Sequence, residues 1–278
     1  MSTPLRPILV TGANKGIGLA VCRAILEQRP GFHVLLGSRD EARGRAAVAA
    51  LRADGLEEVS LLPLDVSSPS SISAAAASVS ASFPAPLYGI VNNAGVGFGR
   101  SIEETVLTNT LGPMRVFEAF RPLLDPDEGR VVNVASASGP NFVEALGEEQ
   151  KGFYRGPREA FAIERMVENK VKKSRVSKPE FDNTAYGFSK ALLNCHTMEI
   201  AERNPSLIIN SCTPGWIDTD LTRGMGARDP PSKGTRSVMK CLFDCESRGH
   251  YYGSDGERSP IDRYREPGTP PYAPASGY

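Results

Sequence analysis

The chain alternates between short apolar runs and longer segments in which apolar positions recur every three to four residues. The short runs lie at residues 8–10, 33–36, 59–64, 88–91, 130–134 and 207–210. Nearly continuous apolar character is typical of strands buried on both faces of a parallel sheet. The segments between them predict helices at residues 17–28, 41–53, 70–82 and 105–124. Repeated strand–helix alternation therefore predicts an α/β fold with a doubly wound, central parallel sheet.

Two stretches depart from this rhythm. Residues 138–183 separate the fifth strand from the next strong helix and are too long for an ordinary connection, so they predict an insertion. Residues 253–278 are rich in Gly, Pro and Tyr, which predicts an irregular tail on the surface. No internal repeat divides the chain, and we expect residues 1–278 to form one domain.

Charge and cysteine content narrow the class of protein. Lys plus Arg and Asp plus Glu number 32 each, so the net charge favours neither a nucleic-acid partner nor a membrane surface. Five scattered cysteines, an odd number, fit reduced thiols better than a disulfide framework, and no His or Cys cluster indicates a metal site. With no apolar run near the roughly 18 residues of a membrane span and no targeting segment, we expect a cytoplasmic protein.

A glycine-rich turn follows the first strand and precedes the first helix. Gly12 permits a tight turn, Gly16 lets the backbone approach a phosphate, and Gly18 lets the helix pack close to the sheet. The helix N-terminus then offers N–H groups to a pyrophosphate. This placement predicts a Rossmann dinucleotide site, against the alternative of a turn without a ligand. The residues assigned to the turn are Gly12, Asn14, Lys15, Gly16, Ile17 and Gly18.

The end of the second strand selects the cofactor. Enzymes that use NAD usually place an acid there to bind the ribose 2′-hydroxyl. Here Arg39 ends the strand and Lys15 lies in the glycine loop, and two cations favour a 2′-phosphate. Asp40 is expected to cap the next helix. The predicted cofactor is therefore NADP.

Two further strand ends belong to the same predicted site. Asp65 and Val66 follow the third strand, where Asp65 either contacts the adenine or caps the following helix. Asn93, Ala94 and Gly95 follow the fourth strand, where asparagine side chains tie loops together and small residues leave room for the ribose.

A tyrosine and a lysine begin the helix after the insertion. Tyr186 and Lys190 are four residues apart and so share one helix face. A nearby ammonium stabilises phenolate, which would bring the pKa of the tyrosine towards neutrality. Ser136 lies just beyond the fifth strand, at the sheet edge where ligands bind, and Asn109 is a poor helix-interior residue. Taken alone, the Tyr–Lys pair could also be an ordinary exposed pair.

Together these motifs resemble the short-chain dehydrogenase/reductase family over residues 7–252. The glycine loop, Asn-Asn-Ala-Gly, the strand-end serine, Tyr-x-x-x-Lys and Thr213-Pro214-Gly215 occur in the family's order. The carbonyl reductase subgroup is most similar, because it shares the glycine-loop sequence, the Arg-Asp at the end of the second strand, the long insertion and Pro-Gly-Trp. One departure is the loop between residues 95 and 109, which is shorter than that subgroup's.

The resemblance implies a role for each matching residue. Tyr186 would donate a proton to a carbonyl oxygen while NADPH delivers hydride to the carbon, and Lys190 would bind the nicotinamide ribose and lower the tyrosine pKa. Ser136 would polarise the carbonyl, with Ser138 as the alternative, and Asn109 would help to hold a water. The resemblance also implies that four residues flank the nicotinamide: Pro214, Gly215, Trp216 and Thr219.

Fewer residues of the sequence indicate where the substrate binds. Trp216 is the single tryptophan and is expected at the pocket, with Phe142 and Met225 as weaker candidates, against the alternative that each is core packing. An aromatic pocket suits a bulky apolar carbonyl or quinone. In the relatives that this chain resembles, an insertion before the tyrosine covers the helix face through which other family members form oligomers. The resemblance therefore implies a monomer.

The sequence thus predicts an NADPH-dependent reductase of ketones, aldehydes or quinones. An alcohol dehydrogenase working in the oxidative direction uses the same residues and stays an alternative. A third possibility, an NADP-sensing protein without turnover, would usually lack the tyrosine or the lysine.

Overall fold

An eight-stranded sheet organises the computed structural model, which describes residues 4–156, 158–159, 161–176 and 184–273. The strand order is β3-β2-β1-β4-β5-β6-β7-β8, parallel as far as β7 and antiparallel between β7 and β8. The doubly wound α/β prediction is confirmed. The strands are β1 Arg6–Val10, β2 Phe32–Ser38, β3 Val59–Pro63, β4 Gly89–Asn92, β5 Arg130–Val134, β6 Ile208–Cys212, β7 Tyr251–Tyr252 and β8 Arg258–Ser259.

Helices cover both faces of this sheet. The helices are α1 Gly16–Gln28, α2 Glu41–Ala53, α3 Pro69–Ser82, α4 Ile102–Val106, α5 Gly112–Phe120, α6 Ser138–Glu144, α7 Glu148–Arg155, α8 Ala162–Val176, α9 Ala185–Arg203 and α10 Thr235–Met239. Apolar side chains of α1, α2 and α10 pack on one face, and those of α3, α5 and the end of α9 pack on the other. Burial on both faces explains why the strands read as continuous apolar runs.

Polar side chains fix where the helices begin. Asp40 accepts a hydrogen bond from the backbone N–H of Arg43 at 3.0 Å, so it caps α2 as the sequence predicted. Ser68 caps α3 by accepting from the N–H of Ser71. Asp65 does not cap α3, because its carboxylate instead closes the preceding turn on Ser67.

The helix predicted at residues 105–124 is interrupted. The structure has α4, then one π-helical turn at Leu107–Leu111, then α5, which ends at Phe120. Pro113 has no N–H, so the α-helical hydrogen bond to the carbonyl of Asn109 cannot form. A π turn at this point widens the helix, and such turns often occur at functional sites.

Residues 251–273 contain more regular structure than their composition predicts. β7 pairs with β6, and β8 pairs with β7. The Arg265 guanidinium, 7% exposed, bonds Asp255 at 2.5 Å, and the N–H of Tyr272 donates to the carbonyl of Arg258. Within the predicted irregular tail, Arg258 and Ser259 form β8, residues 260–273 carry no helix or strand, and residues 274–278 lie outside the described residues.

The insertion packs against α9. Val143 of α6, Tyr154 of α7 and Ile163 of α8 join Phe188 and Leu192 of α9 in one buried apolar cluster. The part of the insertion at residues 177–183 lies outside the described residues. No helix among the residues described has the length and apolar character needed to cross a membrane.

One buried histidine makes the fold sensitive to acid. Burial, with Arg203 and Arg158 nearby, lowers the pKa of His196 from 6.5 to about 3. The folded chain therefore keeps this ring neutral while the unfolded chain protonates it, so stability falls as the pH drops from 6.5 towards 3.

We expect His196→Leu to reduce this pH dependence. Between pH 6.5 and 4, the slope of the unfolding free energy should become shallower by up to about 1.4 kcal/mol per pH unit. Urea unfolding at several pH values measures the slope for both proteins. Identical slopes would contradict the assignment.

Candidate active site

The predicted motifs meet in one cleft at the carboxyl edge of the sheet. Its volume is about 1170 Å³, and it extends from the glycine loop across the ends of β4 and β5 to the segment after β6. The sheet order reverses at β1, which lies between β2 and β4. Ligands of doubly wound sheets bind at such a switch point.

The glycine loop is shaped to accept a phosphate. Gly12 and Gly16 have φ of 63° and 56°, the left-handed region that favours glycine. A Cβ at Gly12 would lie 2.7 Å from the backbone of Ala94, and one at Gly18 would lie 2.4 Å from Asn93 Nδ2. Helix α1 begins at Gly16 with no side-chain cap, which leaves its first N–H groups directed at the cleft.

Asparagine and threonine hold the glycine loop against the end of β4. Asn93 Nδ2 donates to the carbonyls of Thr11 and Gly12 at 2.9 and 3.2 Å. Thr11 Oγ1 accepts from the N–H groups of Asn93 and Ala94. The predicted tie between loops is present, and Asn14, Ile17, Ala94 and Gly95 line the cleft beside it.

The two predicted cations differ in their surroundings. Arg39 is exposed at the end of β2, and its guanidinium makes no ion pair or hydrogen bond with any residue described. Lys15 also lines the cleft, but its Nζ lies 2.5 Å from the carboxylate of Asp220. Asp65 and Val66 line the same end of the cleft.

Helix α9 presents Tyr186 and Lys190 to the cleft from a buried position. They are 8% and 4% exposed, and Lys190 Nζ lies 5.8 Å from the centre of the Tyr186 ring. Lys190 Nζ donates to the carbonyl of Val134, the last residue of β5, at 2.7 Å. Burial lowers the pKa of Lys190 to about 8. Among the residues described, no carboxylate pairs with this ammonium.

Tyr186 is held as the neutral phenol. Burial raises the pKa of Tyr186 and outweighs the opposing effect of its hydrogen bond with the Ser136 side chain. The lowered tyrosine pKa expected from Lys190 is therefore not a property of the free chain. Lys190 Nζ instead donates to the Val134 carbonyl at 2.7 Å.

The strand-end serines are both present but are placed differently. Ser136 contacts Tyr186, whereas Ser138 begins α6 and bonds the Ser136 hydroxyl at 3.3 Å. The N–H of Ser138 also donates to Ser136 Oγ. This geometry favours Ser136 over Ser138 as the group that meets a carbonyl oxygen.

Asn109 is fully buried in the π turn and braces the site. Its Nδ2 donates to the carbonyl of Val96 at 3.0 Å and to Ser189 Oγ at 3.1 Å, and its Oδ1 accepts from the N–H of Val96. Both polar atoms of the side chain are thus engaged. A contact of Asn109 with a relay water stays a prediction.

The segment after β6 closes the nicotinamide end predicted from the sequence. Pro214, Gly215, Trp216 and Thr219 all line the cleft, and Trp216 is 48% exposed. Gly215 has φ of 96°, which turns the chain across the cleft.

Phe142 does not line the cleft. Its ring packs edge-on against Tyr154 and Phe188 within the insertion cluster, so its assignment to the substrate pocket is wrong. Phe142 lies on the face of α6 that packs against α9. The sequence did not show which face of this short helix is covered. Met225 is 42% exposed and is likewise absent from the cleft lining.

Two groups of cleft residues were missed by sequence reasoning. The Phe98 ring, 41% exposed, lies 4.8 Å from the Tyr186 ring at a tilt of 48°. An aromatic residue in a glycine-containing loop was the available signal. Tyr264 and Arg265 of the tail also line the cleft, and no local motif marked them.

Comparisons with known proteins agree with this arrangement. The family model for short chain dehydrogenase matches residues 6–147. Carbonyl reductase [NADPH] 3 of Rattus norvegicus is 35% identical, over 82% of this chain and 87% of that protein. The chain belongs to the short-chain dehydrogenase/reductase family.

Other members resemble it to a similar degree. The (+)-neomenthol dehydrogenase of Arabidopsis thaliana is 34% identical, over 78% of this chain and 84% of that protein. The structure of salutaridine reductase from Papaver somniferum has a TM-score of 0.80 at 25% identity, covering 89% of this chain and 99% of that one. This short-chain family member is thus an NAD(P)-dependent oxidoreductase related to carbonyl reductases.

The close approach at Gly18 gives a test of the cofactor end. Gly18→Ala should lower the unfolding free energy by about 1–3 kcal/mol and weaken binding of the nicotinamide dinucleotide, because its Cβ would displace Asn93 and the glycine loop. Gly152→Ala in α7 is the matched control, since a Cβ there meets no atom within 4 Å. The control should keep or slightly raise stability. Equal behaviour of the two variants in urea unfolding would contradict the packing argument.

Proposed function

We propose that the protein reduces the carbonyl of a ketone, aldehyde or quinone to an alcohol with NADPH. The observation that carries this proposal is the buried Lys190 ammonium beside the neutral Tyr186 phenol. An ammonium has three donors, and in the described chain Lys190 uses one of them, on Val134. A buried charge without an ion pair is costly to stability, which is typical of a group kept for a ligand.

The residues present fit a dinucleotide with a 2′-phosphate. The cradle between Gly12, Gly18 and Asn93 has no space for a Cβ and exposes helix N–H groups to a pyrophosphate. Arg39, which has no partner among the residues described, would bind the 2′-phosphate from the end of β2, because guanidinium binds phosphate well. Lys190 would bind the nicotinamide ribose, and Pro214 and Thr219 would flank the ring. When bound, the cofactor supplies the hydride.

The protein's own groups then position the carbonyl and transfer a proton. Ser136 would donate a hydrogen bond to the carbonyl oxygen, and Tyr186 would donate its proton to the same atom. The raised pKa of Tyr186 keeps it protonated at neutral pH, so the proton is in place before a carbonyl binds. The exposed rings of Phe98 and Trp216 offer apolar surface to a bulky substrate.

Oxidation of an alcohol is the second candidate. The relative named (+)-neomenthol dehydrogenase favours it, but oxidation needs Tyr186 to accept a proton. The same residues serve both directions, and the choice of reduction rests on the similarity to NADPH carbonyl reductases. An NADP-sensing protein without turnover is the remaining alternative.

We further propose that this one-domain protein is a monomer in the cytoplasm. The insertion helices α6, α7 and α8 cover α9 with a continuous apolar cluster, which leaves that face of the helix buried within the chain. All five cysteines are free and buried, which supports a reducing compartment.

The test is NADPH oxidation against a panel of ketones, aldehydes and quinones, beside NADH. We expect turnover with NADPH, and Tyr186→Phe should reduce kcat by about 10²- to 10⁴-fold because the proton donor is lost. Tyr154→Phe makes the same chemical change in the insertion cluster and should keep wild-type turnover.

Three results would contradict parts of the proposal. Full turnover by Tyr186→Phe would exclude the assigned acid. A preference for NADH would show that Arg39 does not select a 2′-phosphate. Tight NADPH binding without turnover across the panel would favour the sensor.

A further inference from the structure

The segment after β6 lies across the glycine loop and is joined to it by an ion pair. Thr219 is so close to Gly16 that a Cβ added there would lie 3.4 Å from Thr219 Cγ2. One residue further, Asp220 Oδ2 lies 2.5 Å from Lys15 Nζ. The chain thus joins two walls of the cofactor cleft through residues 205 positions apart.

This ion pair distinguishes Lys15 from Arg39, the two cations predicted to bind the 2′-phosphate. Arg39 is free of carboxylate partners among the residues described, so a 2′-phosphate meets it directly. Lys15 already has an anionic partner. A phosphate that binds Lys15 therefore competes with the Asp220 carboxylate for the ammonium.

We infer that Asp220 is a cofactor-specificity residue that competes with the 2′-phosphate of NADPH for Lys15. The inference rests on the proposed use of NADPH. NADH lacks the 2′-phosphate and leaves the pair intact, so Asp220 weakens binding of NADPH and not of NADH. The carboxylate thereby moderates the selectivity that Lys15 and Arg39 provide.

Asp220 has the properties that such a competitor needs. The hydrogen bond and charge of Lys15 lower the pKa of Asp220, so the carboxylate stays ionised at neutral pH. Arg223, three residues along, also pairs with Asp220, so the carboxylate keeps a cation when Lys15 leaves. Lys15 and Asp220 are 54% and 44% exposed, so water stabilises the separated charges and the exchange is readily reversible.

The experiment measures dissociation constants of NADPH and NADH for Asp220→Asn. Trp216 is the single tryptophan and lines the same cleft, so quenching of its fluorescence by the nicotinamide reports binding. Because exposed ion pairs are weak, we expect NADPH to bind about threefold more tightly and NADH to bind as in the wild type.

Two further variants isolate the exchange at Lys15. Asp229→Asn removes a carboxylate of equal exposure, 44%, which also lines the cleft but pairs with Lys233. It should leave the ratio of the two dissociation constants unchanged. In a Lys15→Met background, Asp220→Asn should no longer alter that ratio.

Each other outcome overturns the inference. These outcomes are no change in NADPH affinity, equal tightening for both cofactors, the same shift with Asp229→Asn, or an undiminished effect without Lys15. The wild-type arm tests the proposed function separately. A wild type that binds NADH as tightly as NADPH contradicts the use of NADP, whatever Asp220→Asn does.

Discussion

The site depends on one buried positive charge. Lys190 is 4% exposed, and among the residues described it has a backbone carbonyl, that of Val134, as its partner. The parallel strands bring that carbonyl to the cleft edge, and α9 brings the ammonium to it. Tyr186, one turn earlier on α9, is placed beside Ser136 by the same contact between helix and strand. Burial keeps the phenol protonated and leaves the ammonium incompletely paired, and the proposed reduction uses both groups.

Much of this could be predicted from the sequence because the information is local. Strands buried on both faces must be apolar throughout, and the turn between β1 and α1 needs glycine at residues 12 and 16. Tyr186 and Lys190 are one helical turn apart, so their common face follows from spacing alone. The interruption at Asn109 was also encoded locally, by the missing N–H of Pro113, although the sequence analysis predicted a continuous helix there.

The rest depends on contacts between distant segments. Lys15 and Asp220 are 205 positions apart, and nothing near either residue marks the other as its partner. β7 and β8 have two residues each, too few for a period-two pattern to show. The sequence analysis assigned Phe142 to the pocket, but the packing of the insertion decides which face of a seven-residue helix is covered. Sequence indicates that such residues are apolar or charged, but the packing of neighbouring elements decides what they contact.

The most direct test of the central claim is the unfolding free energy of Lys190→Met at pH 7, measured beside its turnover. The claim is that the charge is kept for the chemistry and not for the fold. Removing it relieves a burial cost but leaves the Val134 carbonyl without its donor, a loss of about 1–3 kcal/mol. We expect stability within about 1 kcal/mol of the wild type, or higher, with turnover lost. A variant several kcal/mol less stable, or one that still turns over, would contradict the claim.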